Sequence, residues 1–412
     1  QSWRDVQTEL SARYGSASVK SLRDVQHILL DQFSALHRTI NSLGIETLLY
    51  THLPVHHTPE ACFPNNWLST HAPAETGGEG TLILYPMRSE TRRRERRHSI
   101  VSDLSELYPR EVNLSKYELG TVPQFLEGMG SLVLDRVAKV AYAALSSRTY
   151  IEMVNRWAAG VGYSVVSFHA AAYHEEALDL TLPGTEQSDS ESDDDDDDDE
   201  EENRKSAPES RSSTTLSGAP CPLLRGSSES SKPAATDESA KVTRSRCGTR
   251  GAGAGAQRRG RNLLRAGLLA RMEAVVKEPS AVTAMLHEHD CALVHYTTLV
   301  LFIGSSLIVF CAEALYDERE RAQVMASLRA DSDRTLVLIT EKQMANFCAQ
   351  LIELRGHNDE RVVLMSTGAE QAFEPEQLEQ IRGCCDHLVT SDVGLFEVIA
   401  GASVSSLFAE LF

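Results

Sequence analysis

The stretch with the strongest chemical signature is Ile399-Ala400-Gly401-Ala402-Ser403-Val404-Ser405-Ser406-Leu407. Small residues gather where a backbone turns sharply or approaches another closely, and a hydroxyl just ahead of an apolar run is the layout of a helix start. Together they have the shape of a nucleophile loop, with Ser406 at the decisive position. A serine hydroxyl is a poor nucleophile at neutral pH unless a neighbouring base takes its proton, so the loop belongs either to an enzyme or to the shell of one.

A second concentration of chemistry is Arg88, Arg92, Arg93, Arg94, Arg96 and Arg97, interrupted among the charges only by Glu90 and Glu95. On one helix these would wrap most of the surface rather than face a single ligand. They suit a solvated helix start, or a patch that grips phosphate or carboxylate. The eight cysteines (Cys62, Cys221, Cys247, Cys291, Cys311, Cys348, Cys384, Cys385) have no paired CxxC spacing and sit mostly in apolar runs. That argues for a reducing interior compartment and against a disulfide framework or a zinc site. No metal or other cofactor is implied.

These side chains need a scaffold. Leu22, Val25, Ile28, Leu29, Phe33, Leu36, Ile40 and Leu43 recur at steps of three and four, which predicts a long amphipathic helix over 19–45 ending at Gly44. Ile45–Tyr50, Thr81–Tyr85, Leu132–Asp135 and Tyr163–Phe168 read as strands, and Val137–Leu145 and Tyr150–Ala159 as helical. Farther along, Leu263–Lys277 has a helix pattern. Beyond it, apolar strands (Leu293–Ile303, Leu307–Cys311, Thr335–Ile339, Arg361–Met365, His387–Thr390) alternate with polar helical stretches (Asp317–Ala330, Glu341–Leu354, Glu374–Cys384). This is an α/β chain of strand-strand-helix units, with polar motifs at strand ends where a site is assembled from loops.

One segment breaks the pattern. Residues 186–202 hold 13 acidic side chains and no basic one, and residues 203–261 hold 12 Lys/Arg against 4 Asp/Glu in a background of Ser, Gly, Ala and Pro. Such a composition buries too little apolar surface to offset ordering the backbone. The expected organisation is therefore 1–184, a disordered insert over 185–262, and 263–412 completing the same folded unit. The insert carries −13 + 8 = −5 of the net charge of −19, leaving −14 for the rest. A generic nucleic-acid binder would be basic overall, so any such contact must be local. No apolar run is long enough for a membrane span, since Thr297–Ala312 is interrupted by Gly304, Ser305 and Ser306. The first residue is Gln1 rather than Met, which leaves room for a targeting segment ahead of it.

Several long motifs occur in an order that resembles the amidinotransferase superfamily, in its citrulline-hydrolase and dimethylargininase branch. They are Phe63-Pro64-Asn65-Asn66-Trp67-Leu68-Ser69-Thr70-His71, Ile83 to Met87 followed by Arg93-Arg94-Glu95-Arg96-Arg97, Leu126-Glu127-Gly128-Met129-Gly130-Ser131 running to Asp135, and Ala141 to Thr149. The resemblance covers roughly 30–175 and 285–412 and implies a pentein fold, a five-bladed β/α propeller with its site in the central channel. In that family a cysteine attacks a guanidino or ureido carbon, a histidine moves the proton, and acidic or amide side chains hold the planar nitrogens. The weakly electrophilic carbon demands a thiolate.

Here the family's Gly-Gly-Gly-Ser-x-Arg-Cys pattern falls on residues 400–406, so the cysteine is Ser406. Its Tyr-His-Thr-Asn-Val pattern falls on 295–299, so the histidine is Tyr296 with His295 as neighbour. A one-residue shift in a strand turns the side chain to the opposite face, so His295 cannot easily substitute for it; a register error of one residue, or a bulge, would rescue it. Asn65, Asn66 and Glu127 remain as pocket lining. The resemblance therefore implies a pseudoenzyme, and it is similar to the paired guide-RNA-binding subunits of the kinetoplastid mitochondrial RNA-editing complex. On that reading RNA meets Arg88, Arg92, Arg93, Arg94, Arg96 and Arg97, helped by Arg258, Arg259 and Arg261. The protein is then an intracellular, mitochondrial subunit partnered by a paralogous or identical copy. The alternative is a hydrolase of a guanidino or ureido compound using Ser406.

Overall fold

The computed structural model describes residues 21–173, 243–244, 291–330 and 333–412. Helix α1 (Leu22–Ser42) starts at a capping box in which Ser21 and Asp24 bond reciprocally, and the chain leaves it through Gly44 at φ 74. A side chain could not replace Gly44, because a Cβ there would lie 2.7 Å from that of His357. The helix buries Leu36 and Ile40 against Leu364, Val393 and Phe396, each such side chain contributing roughly 1.5–3 kcal/mol.

Four repeats of one unit follow: a hairpin, a helical crossover and a third strand parallel to the second. The first comprises β1 (Leu68–His71), β2 (Thr81–Leu84), α2 (His98–Leu107) and β3 (Arg110–Asn113). The second comprises β4 (Val133–Asp135), β5 (Val140–Ala144), α3 (Ile151–Val161) and β6 (Ser164–Phe168). The third comprises β7 (Leu301–Ile303), β8 (Leu307–Phe310), α4 (Glu318–Leu328) and β9 (Thr335–Leu338). In the fourth, β10 (Ile352–Arg355) and β11 (Arg361–Ser366) lead through α5 (Pro375–Gly383) to β12 (His387–Ser391). Helix α6 (Gly394–Ala400) then delivers the chain to the Ser406 turn. Middle strands are mostly apolar, as suits strands covered on both faces: β2 and β8 are buried at every position.

Several expectations are corrected. Val137–Leu145 is not helical: Val140–Ala144 is a middle strand, paired antiparallel to Val133–Asp135 and parallel to Ser164–Phe168. Alanine-rich sequence favours helix in isolation, and pairing on both edges overrides it. The strand read over Leu293–Ile303 is broken by a 3₁₀ turn at Thr297–Leu299, and the helix read over Glu341–Leu354 stops at Ala345 before the strand Ile352–Arg355. Of the insert, only Thr243–Arg244 lies within the described residues. That pair is a short strand antiparallel to Leu48–Leu49, within a segment expected to be unstructured. The acidic run and the helix expected over Leu263–Lys277 lie outside the described residues, as do Arg258, Arg259 and Arg261. Among the described residues no helix is long and apolar enough to cross a membrane.

Candidate functional site

Each unit opens on a tight turn just before its first strand: Pro64–Asn66, Gly128–Ser131, Thr297–Leu299 and the turn at Phe347, with Val404–Leu407 as a fifth turn after α6. Gly128 sits at φ 49, and a Cβ on it would lie 2.4 Å from the Asn65 carbonyl oxygen and 2.7 Å from that of Asn66. A Cβ on Gly130 would lie 2.9 Å from the Tyr296 ring. The two glycines of Glu127-Gly128-Met129-Gly130 are therefore what lets the first three turns close on one another.

Where they meet lies a cavity of ≈ 90 Å³, lined by one residue from each turn or its flank (Asn66, Gly130, Tyr296, Gln350 and Ser406) together with Arg92, Arg148, His295 and Thr298. Ser406 and Tyr296, brought to one register by the sequence motifs, do share a site. The small residues Ala400, Gly401 and Ala402 line it too. The Ser406 turn is held from three sides. Asn65 Nδ2 donates to the Ser405 carbonyl (3.2 Å), the Ser403 amide donates to Gln350 Oε1 (2.6 Å), and the Ser403 hydroxyl donates to buried Glu397 (2.6 Å). Asn65 thus braces the turn, while Asn66 faces the cavity.

Glu127, expected to line the pocket, stands behind it. The carboxylate is fully buried and accepts from both sides: Arg148 Nη1 at 3.0 and 2.8 Å, the Tyr296 hydroxyl at 2.6 Å and the Arg88 amide at 3.1 Å. Burial works to raise its pKa, but Arg148, the Tyr296 hydroxyl, Arg92 and the Arg88 amide outweigh it and hold the carboxyl below the ordinary range. The same carboxylate and burial push the Tyr296 phenol well above its usual pKa. Tyr296 therefore keeps a hydrogen bond that an imidazole could make, but it cannot take up a proton at neutral pH.

His295 also lines the cavity, which corrects the expectation that a one-residue shift would turn it away. That argument required a strand. Residues 294–296 instead belong to no strand, lying between Cys291–Leu293 and the 3₁₀ turn Thr297–Leu299, and both His295 and Tyr296 contribute to the lining. Burial lowers the His295 pKa to about 4, helped by the charges of Arg148 and Arg88. The ring is neutral at pH 7 and a weak base. A histidine whose folded pKa lies below its unfolded value adds stability that is present above the unfolded pKa and lost as pH falls through the folded one. His295→Gln should accordingly flatten the loss of stability between pH 6.5 and about 4 relative to the parent chain, read by urea unfolding at stepped pH. Parallel curves would contradict the burial of this ring.

The arginine cluster is not an outward basic surface. Arg92 is buried, lines the cavity, bonds the Phe63 carbonyl (2.7 Å) and pairs through Nε with buried Glu95 (2.8 Å). Arg96 pairs with Glu118 and donates to the Tyr85 carbonyl, Arg93 donates to the Met87 and Arg88 carbonyls, and Arg97 donates to the Thr51 carbonyl. Arg88 bonds Ser147, and exposed Arg94 pairs with Glu90. The run reads as surface because several of its partners are backbone carbonyls or lie far away in sequence, as Phe63, Thr51, Glu118 and Ser147 do. Among the described residues no group of three or more His, Cys, Asp or Glu is arranged to hold a metal.

With this geometry in place, a family model described as N,N dimethylarginine dimethylhydrolase, eukaryotic, matches residues 5–182 and 272–412. The chain belongs to this family. The unmatched stretch lies within 174–290, which holds the insert. No curated protein matches in a sequence search. Among solved structures, the N-terminal domain of ArgZ bound covalently to a reaction intermediate aligns over 94% of this chain and 87% of its own, at 10% identity and a TM-score of 0.50. Full-length ArgZ, an arginine dihydrolase of cyanobacteria, is covered only to 35% of its length by this chain (93% of this chain, 10% identity, TM-score 0.49). A dimethylarginine dimethylaminohydrolase in adduct with S-methyl-L-thiocitrulline aligns over 92% of this chain and 87% of its own at 12% identity and a TM-score of 0.46. At these identities the likeness concerns the fold alone, which is the mixed α/β pentein type expected from the motifs.

Sequence reasoning did not assign Arg148, Gln350 or Thr298 to the cavity. Arg148 stood inside a quoted motif, Ser146-Ser147-Arg148-Thr149, and Thr298 inside another. Gln350 carried no local signal, because its position depends on the turn at Phe347, a non-glycine residue at φ 61.

Proposed function

We propose that this member of the N,N dimethylarginine dimethylhydrolase family binds a small ligand in the cavity without hydrolysing it. The observation that carries the reading is the pairing at the cavity wall. Ser406 stands where a thiolate would attack, and Tyr296, its partner across the cavity, has its hydroxyl committed to Glu127. Among the described residues no hydrogen bond reaches the Ser406 hydroxyl, so no base is set to activate it. A substitute thiolate is not at hand either: burial pushes the Cys62 thiol, beside Phe63 of the cavity wall, up to about 12 and the Cys348 thiol well above its usual range.

The test is intact-protein mass spectrometry of the chain incubated with citrulline, arginine, agmatine or methylated arginines. The expected result is an unmodified mass throughout. An adduct mapped to Ser406 would show a working nucleophile, and the hydrolase reading would then replace this one.

A second reading, RNA binding in a mitochondrial complex with a paralogous or identical partner copy, is supported by the basic excess of residues 203–261, 12 Lys/Arg over 4 Asp/Glu. The arginines at 88–97 do not support it, being spent on internal pairs. On this reading, crosslinked RNA peptides should map to 203–261. Adducts confined to 88–97, or none anywhere, would remove its support.

A further inference from the structure

Glu127 has no capacity left. An ionised carboxylate offers about four lone-pair sites, and here they receive Arg148 on both oxygens, the Tyr296 hydroxyl and the Arg88 amide. Of two further fully buried carboxylates near the cavity, Glu95 is held by Arg92 and Glu397 accepts from the Ser403 hydroxyl. Two guanidinium groups, Arg92 and Arg148, therefore face the cavity, with Glu60 as the acidic residue in its lining. The Arg148 guanidinium also lies over the Tyr296 ring, 5.6 Å from its centroid.

We propose that Arg148 is a resident guanidinium occupying the cavity's deep carboxylate, so that the site takes ligands with a neutral amide- or urea-type head group and turns away guanidinium cations. This rests on reading the cavity as a binding site that does no hydrolysis. A cation entering would find its natural partner already paired and would meet two like charges in a partly desolvated space. A neutral head group meets better-matched partners. Thr298 Oγ1 and His295 Nδ1 are buried and have no hydrogen-bond partner among the described residues, and both line the cavity. A hydroxyl and a neutral imidazole each donate and accept, which suits a group carrying both N–H and C=O, whereas a guanidinium only donates. Asn66 and Gln350 add amides to the same wall. Burying a polar atom without a partner is costly, so a ligand that satisfies these two gains affinity from them.

The test uses two probes that differ only in the head group, L-citrulline and L-arginine, titrated calorimetrically into the full chain with ammonia and ornithine release followed in the same samples. Citrulline should bind at least about tenfold more tightly than arginine. In Arg148→Ala the vacated space should accept methylguanidinium at low millimolar concentration, raising the melting temperature of the variant and not of the parent. If that variant does not fold, the citrulline-to-arginine ratio decides alone. Arginine binding as tightly as citrulline, neither compound binding, or a soluble Arg148→Ala indifferent to methylguanidinium would each overturn the proposal. Release of ammonia or ornithine would instead overturn the non-hydrolysing reading beneath it.

Discussion

Tyr296→His combined with Ser406→Cys should give the cavity hydrolytic activity. A histidine at 296 can donate one ring N–H to Glu127, as the tyrosine hydroxyl does now at 2.6 Å, leaving the other nitrogen free as a base. The cysteine then has a partner to draw its proton, and a thiolate is the nucleophile a resonance-stabilised carbon requires. General-base participation is worth about 10²–10⁴ in rate. The double variant should therefore release ammonia from arginine, methylamines from methylated arginines, or ornithine and ammonia from citrulline, at least about 10²-fold faster than either single variant. The effect is expected to be non-additive, since neither group acts without the other. Single variants as active as the double would place the base elsewhere, with His295 the first candidate.

The largest stability effect is expected at Glu127. Glu127→Ala removes a fully buried carboxylate and strands Arg148 and the Tyr296 hydroxyl together. Breaking one side of a buried charge pair costs about 3–5 kcal/mol. Tyr296→Phe removes a single hydrogen bond to the same carboxylate, worth about 1.5–3 kcal/mol for a charged acceptor. The two should be less than additive in a double-mutant cycle because they share that carboxylate. Denaturant unfolding checks both. A loss below about 1 kcal/mol for Glu127→Ala would mean that water reaches this site and that the pairing is not what organises it.

How much of this was legible in the sequence depends on how far each residue's partners lie along the chain. Helix α1 was readable because periodicity, cap and stop are all local: Ser21 and Asp24 at one end, Gly44 at the other. Val140–Ala144 was not, because its alanines favour helix until Val133–Asp135 and Ser164–Phe168 pair on either side. The motifs put Ser406 and Tyr296 in one register, and the cavity joins them. Their neighbours were sorted less well. Asn65 braces the Ser405 carbonyl instead of lining the pocket, and Arg92 belongs to the pocket instead of the surface. In each case the deciding partner is far away in sequence or is a backbone carbonyl, which residue type does not reveal. His295 was misjudged for a different reason: the period-two rule was applied to residues 294–296, which lie between a strand and a 3₁₀ turn and belong to neither.

The account is tested most directly by a turnover assay of the purified chain with citrulline, arginine, agmatine and methylated arginines, with Ser406→Ala run alongside. The absence of a base at the Ser406 hydroxyl, and the commitment of Tyr296 to Glu127, lead to the expectation of no ammonia, methylamine or ornithine above the rate seen with Ser406→Ala. Product formation by the parent chain that disappears in Ser406→Ala would contradict it.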